Sequence, residues 1–295
     1  PFLSPATLML IAHVEQVGVW TVEGGMHRTA VALARLAQDK GARIRYQSDV
    51  AEILADRRGV RGVALADGER IEADKVVLNA DVAALAAGRF GEQARRAVPP
   101  QEPSERSLSA VTWNLVAETQ GFPLLRHTVF FSRDYPDEFD AIFRRASLPG
   151  EPTVYVCAHD REDRDDGFPG GPERLLCLVN APAVGDTRDF DPTEIEQCER
   201  RAFSLLERCG LRVRTRPEAR LITTPAIFHG LFPATGGAIY GQASHGWRAS
   251  FNRPQTRTRL PGLYLAGGSV HPGAGVPMAA LSGRLRPARL RLRSR

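Results

Sequence analysis

"LYLAGGSVHPGAGVPMAALSGR", Leu263 to Arg284, is the stretch on which the reading of this chain turns. Three apolar residues run into Gly267 and Gly268. A second glycine pair, Gly273 and Gly275, brackets Ala274, and an apolar run begins at Val276. A strand, a glycine-rich turn and a helix start are the ingredients of a phosphate or cofactor cradle. Gly267 and Gly268 remove side chains where a bulky ligand approaches the backbone. Pro272 stiffens the turn, and Pro277 suits a first helical turn, where its missing N–H costs nothing. The N–H groups around Val276 and Met278 would then face an electron-rich ligand edge, helped by the helix dipole. The spacing is not a dinucleotide fingerprint. Met278 stands where G-x-G-x-x-G needs its third glycine, and no acidic residue follows about 20 positions on. On the residues alone, a plain tight turn between strand and helix remains the alternative.

Upstream, Gly24-Gly25-Met26 opens "MHRTAVALARLAQDKG". Its Val31, Leu33, Ala34, Leu36 and Ala37 suit one buried helical face, and Gly41 is a natural stop. Short strands follow, separated by turns at Arg58-Gly59 and Asp67-Gly68. "KVVLNAD" reads as a continuous apolar strand buried on both faces. From about Val82 the character changes: "SLSAVTWNLVAE", "HTVFFSRDY", "PTVYVCAHD" and "RLLCLVNAP" are strand-like and suggest a separate sheet-rich domain. "DPTEIEQCERRAFSLLERCG" has Asp191 before Pro192, Glu194 in the first turn and Gly210 at the stop, the signals of a helix. The expected architecture is a discontinuous α/β (α+β) fold. Its parts are a substrate-domain segment over 1–20, a cofactor-domain segment over 21–81, a substrate domain over 82–260, a closing cofactor segment over 261–285 and an atypical basic tail over 286–295.

Composition narrows the function class. The net charge of +5 comes from six arginines between Arg284 and Arg295, where there is no acid. Take those six from the 39 basic residues and the rest, with 34 acids, carries −1. A nucleic-acid-binding face would spread its charge through the fold, so no nucleic-acid partner is expected. No apolar run approaches the roughly 20 residues of a membrane span. Cys157, Cys177, Cys198 and Cys209 form no C-x-x-C pair and have no histidine at ligand spacing, so no metal site is expected. The acidic run from Asp160 to Asp166 reads as a solvated loop. His127, His159, His229 and His245 have no recognisable mutual spacing, and no Ser-His-Asp arrangement or other catalytic residue is assigned.

The glycine stretch resembles the carboxy-terminal signature of the bacterial-type phytoene dehydrogenases, the carotenoid desaturases with bound FAD. Gly262, Tyr264, Leu265, Gly267, Gly268, Ser269, His271, Pro272, Gly273, Ala274, Gly275, Val276 and Ser282 match it; Val270 departs from it. "GVWTVEGGMHRTAVALARLAQDKGARIRYQSDVAEI" resembles the family's middle block and "KVVLNAD" its "VVxNAD" strand. The likeness extends from Pro1 to about Leu285. It implies a partial FAD-binding, Rossmann-like domain of the glutathione-reductase type with an inserted sheet-and-helix substrate domain. It implies as well that Gly267, Gly268, His271, Pro272, Gly273, Gly275, Val276, Pro277 and Met278 line the flavin end, and that Val50 meets the adenine through its backbone. The implied activity is dehydrogenation at C-3,4 of a 1-hydroxy- or 1-methoxy-carotenoid, in peripheral contact with the inner, photosynthetic membrane. Flavin amine oxidases share this cofactor-domain plan and are the alternative enzyme class. In the family the pyrophosphate is held by an amino-terminal G-x-G-x-x-G unit. The sequence holds no such unit and does not begin with Met, so the expectation is a carboxy-terminal part that retains FAD poorly and is inactive alone. Pro287 in "LRPARLRLRSR" interrupts the helix with which relatives continue. A truncated or shifted end and a basic lipid anchor are the two readings of that tail.

Overall fold

The carboxy-terminal strand finds its partner early in the chain. The structure, a computed structural model, describes residues 12, 16–18, 20–161, 170–245 and 252–284. Most of the 1–20 segment, most of the acidic run and the 286–295 tail lie outside the described residues. Strand β4 (Val76–Leu78) pairs in parallel with β10 (Leu263–Leu265), Val76 opposite Leu263 and Leu78 opposite Leu265. Both are short apolar segments ending in small residues, and parallel pairing needs the long crossover that the intervening chain supplies.

Around this pair the first region assembles. β1 (Val50–Asp56), β2 (Gly59–Leu65) and β3 (Arg70–Glu72) form an antiparallel meander, turning near Arg58 and Asp67 as the sequence indicates. Ile53 and Val60 from the meander pack with Leu263, Leu265 and Val270, and with Val82 and Leu85 of helix α2 (Val82–Ala86). Ala94 of α3 (Glu92–Arg95) completes the cluster. At Gly62 the chain runs so close to β3 that a Cβ would lie 2.0 Å from the Ile71 carbonyl oxygen, so glycine is required there.

The middle region is one antiparallel sheet in the order β6-β7-β8-β5-β9, built from β5 (Ser109–Gly121), β6 (His127–Phe130), β7 (Val154–Ala158), β8 (Glu173–Ala181) and β9 (Leu211–Thr223). Between β6 and β7 the chain forms a helix, α4 (Tyr135–Phe143), that starts where the strand-like stretch "HTVFFSRDY" ends and that the sequence reading left unassigned. Asp134 caps it by accepting from the Asp137 N–H. One face of the sheet, with Val111, Trp113, Leu115, Val154, Val156, Leu175, Cys177 and Val179, packs on helix α5 (Pro192–Arg208) through Ile195, Cys198, Ala202, Leu205 and Leu206. The α5 start follows its sequence signals: Asp191 and Glu194 form a reciprocal capping box, with Pro192 at the first helical position. Helix α6 (Pro225–Leu231) follows β9. Burial pushes the Cys177 and Cys198 thiols up to about 12, so both stay protonated and inert.

Two expectations fail on burial. Helix α1 (His27–Asp39) forms where the periodicity places it, yet none of its residues is buried; Leu33 is 61% and Leu36 53% exposed. β4 is not covered on both faces, since Val77 is 63% exposed. Periodicity reports that a face is apolar; only a packed neighbour buries it, and no described element lies over these two.

At the far end of the middle sheet, Arg161 donates from Nε and Nη2 to the Glu173 carboxylate at 2.8 and 2.6 Å, and from Nη1 to the Leu124 carbonyl at 3.0 Å. Thr119 bridges the pair, and both charged side chains are almost fully buried. Removing one partner strands the other charge in a dry site. Arg161→Met is therefore expected to lower unfolding free energy by about 3–5 kcal/mol, read from urea melts. Replacing Arg161 and Glu173 together by Met and Leu should cost far less.

Candidate functional site at the glycine loop

Gly267 to Gly275 links β10 to helix α7 (Val276–Arg284), and the loop is tied down at its start. The Ala266 N–H donates to the Leu78 carbonyl at 3.0 Å, and Asn79 Nδ2 donates to the Ala266 carbonyl at 2.8 Å. The Gly267 N–H donates to Ser282 Oγ at 2.8 Å; that hydroxyl donates in turn to the Ala279 carbonyl, locking the loop to the second turn of α7. Gly267 has φ +131°, and a Cβ there would stand 2.8 Å from Asn79 Nδ2. Its glycine is thus demanded by the chain's own packing, where the sequence reading assigned it to ligand clearance.

The second glycine pair differs. Gly275, at φ +104°, has nothing within 4 Å of a built Cβ, so open space adjoins it. Among the described residues, the N–H groups of Gly273, Ala274, Gly275, Val276 and Met278 make no hydrogen bond. Five donors on one short backbone stretch, at a helix start and beside open space, fit an electron-rich ring edge. Val276 and Pro277 are exposed, while His271, Pro272 and Met278 are half-buried. The His271 N–H donates to the Pro254 carbonyl at 2.8 Å, a structural tie. Val50 is exposed at the start of β1 opposite Leu65, and Ile53 of the same strand reaches the Leu263 cluster.

Sequence reasoning missed the residue that holds the loop from the other side. Arg253 is buried; its Nη1 donates to the Gly268 carbonyl (3.2 Å) and the Tyr240 carbonyl (2.9 Å). Its Nη2 donates to the Gln242 carbonyl and to Ser244 Oγ, both at 3.1 Å. One guanidinium thus joins the glycine loop to the 240–244 segment of the middle region, using the fork geometry lysine lacks. Burial pulls the Arg253 pKa down, and nearby Asp81 opposes that. Close approach on the same side is enforced at Gly241, whose Cβ would lie 2.8 Å from Ser269 Cβ. An isolated Arg in a polar loop carries no pattern that would have singled it out.

Asp81 caps α2, accepting from the Ala83 N–H at 2.8 Å, while the Val82 N–H donates to Ser269 Oγ at 3.2 Å. Asp81 lines a cavity of about 660 Å³ between α2 and the middle region, with Arg106, Asp186, His229, Thr235 and Gln242. Arg106 and Asp186 pair across it at 2.8 and 2.7 Å. Desolvation by burial raises the Asp81 pKa above the usual carboxylate range, outweighing the hydrogen bonds and arginines that favour its charge.

The sequence profile described as "Flavin containing amine oxidoreductase" matches residues 7–289. The chain belongs to this family. It is 57% identical, over 97% of its length, to a hydroxyneurosporene desaturase of Rubrivivax gelatinosus, and 47% identical over 96% to one of Cereibacter sphaeroides. It covers 54% and 56% of those proteins, so the chain spans about half the length of the curated relatives it matches. Among solved structures, an oxidoreductase from Methanosarcina mazei aligns with 88% of this chain and 53% of its own, at TM-score 0.52 and 19% identity, a likeness of fold.

Because the folded Asp81 pKa is raised, the native state binds more protons than the unfolded chain between the ordinary carboxylate value and the raised one. Stability therefore falls as pH rises through that window. Asp81→Asn keeps a capping oxygen and removes the charge. It is expected to be more stable than the parent at neutral pH, with the gap closing below the ordinary carboxylate pKa, as followed by melting temperature against pH.

Proposed function

We propose that this chain carries the flavin-capping loop and the substrate sheet of an FAD-dependent carotenoid desaturase. The proposed reaction dehydrogenates a 1-hydroxy- or 1-methoxy-carotenoid at C-3,4. The observation that carries the reading is the run of unbonded N–H groups from Gly273 to Met278, among the described residues, with open space at Gly275, in a chain of a flavin-containing family. The names of the relatives support the substrate class. When bound, FAD would supply the acceptor for hydride from one carbon of a CH–CH bond, the other carbon of that bond losing a proton as conjugation lengthens.

The residues of the chain position and enclose. The Gly273–Met278 donors would hold the ring edge and Gly275 would leave room for it, while Ser282 and Arg253 keep the loop from drifting. The β4–β10 pair with its meander is read as part of a Rossmann-like FAD domain of the glutathione-reductase type, and the five-stranded sheet as the inserted substrate domain. A substrate dissolved in lipid calls for peripheral contact with the inner, photosynthetic membrane. Exposed Phe131, Leu231 and Phe232 support such contact, and no described helix is long and apolar enough to cross a bilayer.

The test joins this chain to the portion of the Rubrivivax gelatinosus relative that it does not span. The fusion should co-purify with flavin and red-shift the absorbance of hydroxyneurosporene supplied in lipid. Gly275→Leu should abolish flavin retention, since a branched side chain fills the open space and strains φ +104°. A yellow fusion that leaves the polyene spectrum unchanged would sink the desaturase reading. Equal flavin in Gly275→Leu would reduce the loop to a structural turn.

A further inference from the structure

The face of the five-stranded sheet turned away from α5 has a composition of its own. Strand alternation sends Thr112, Asn114 and Val116 of β5, Tyr155 and Cys157 of β7, and Leu176 and Leu178 of β8 to that side. The pairing register sets them in rows. Val129, Tyr155, Leu178 and Thr112 lie side by side, and so do His127, Cys157, Leu176, Asn114 and Leu221. Leu176, Leu178 and Tyr155 are half-buried, Val129 and Leu221 exposed. Between Arg174 and Asn180 of β8, which share this side, the face is a mostly apolar strip with a polar pair toward one edge: His127 Nδ1 and the Tyr155 hydroxyl are 2.7 Å apart, their rings stacked at 6.0 Å and 13°.

Tyr155 is held above its ordinary pKa first by burial, then by Cys157 and by the nearby Tyr240 phenol. Tyr240 is joined to the loop through Arg253, and the adjoining Gly241 packs on Ser269. Whichever ring atom holds the shared proton, the pair keeps one spare donor and one spare acceptor. If Nδ1 accepts, the phenol oxygen can still accept and Nε2–H donates. If Nδ1–H donates, the phenol O–H donates and Nε2 accepts.

Resting on the desaturase reading, we infer that the His127–Tyr155 pair recognises the end-group oxygen of the substrate while the apolar strip takes its polyene chain. The chemistry of the ligand requires such a place: a long hydrocarbon with a single oxygen function, separated by one methylene from the bond that reacts. A polar anchor for that oxygen must therefore stand near the flavin loop and be surrounded by apolar surface. A hydroxyl uses both the spare donor and the spare acceptor; a methoxy oxygen uses the donor alone. A hydrocarbon end group uses neither and leaves the pair desolvated and unsatisfied, which is the stronger source of discrimination.

The test titrates the chain with hydroxyneurosporene and with its parent hydrocarbon in detergent micelles, reading the shift of the polyene absorbance. The parent protein should bind the hydroxylated polyene about tenfold more tightly. Tyr155→Phe, which keeps the stacked ring, should erase that preference by weakening the hydroxylated ligand alone, with its melting temperature unchanged. His127→Leu should do the same. A preference that survives both substitutions, or none in the parent protein, overturns the anchor while the desaturase reading stands. Binding of neither polyene also overturns the anchor, while the desaturase reading is decided by the fusion.

Discussion

The parallel pairing of Val76–Leu78 with Leu263–Leu265 is the constraint on which the rest depends. It brings together two apolar segments 187 residues apart and delivers the glycine loop to Asn79 and Asp81, just past the end of β4. Each contact that shapes the loop's entry assumes it: the Asn79 amide on Ala266, the Ser269 hydroxyl facing the Val82 N–H, the Val270 side chain in the Ile53 cluster. Closing so long a crossover is entropically costly, and the buried Leu263, Leu265 and Val270 offset that cost by leaving water.

A second constraint joins the two regions. A buried guanidinium is tolerable only when its donors are occupied, and Arg253 places four of its hydrogen bonds on both sides of the junction. The loop is therefore held at its start by Ser282 and Asn79, at Gly268 by Arg253, packs at Gly273 against the Arg253 side chain, and opens at Gly275. Rigidity at one end and unbonded donors at the other are what a preformed ligand cradle needs.

Local elements were legible where the signals are local. Asp191, Pro192 and Glu194 mark the start of α5 because a helix end is satisfied by residues within one turn of it. The α1 periodicity was equally legible, but its apolar face has no described neighbour, and no property of those 13 residues reveals that. Helix α4 went unassigned behind the strand-like "HTVFFSRDY"; Asp134 and Pro136 were the signals that could have found it.

By itself the sequence determined which residues are glycine and proline in the loop, the alternation of the strands and the likeness that names the family, all properties of order along the chain. Only the tertiary structure decided that Gly267 answers to Asn79, that Arg253 spans two regions, and that His127 meets Tyr155 across a β6–β7 register. The physical reason is the same in each case. Burial and hydrogen bonding are set by what lies opposite, and the residue opposite is rarely the residue adjacent in sequence.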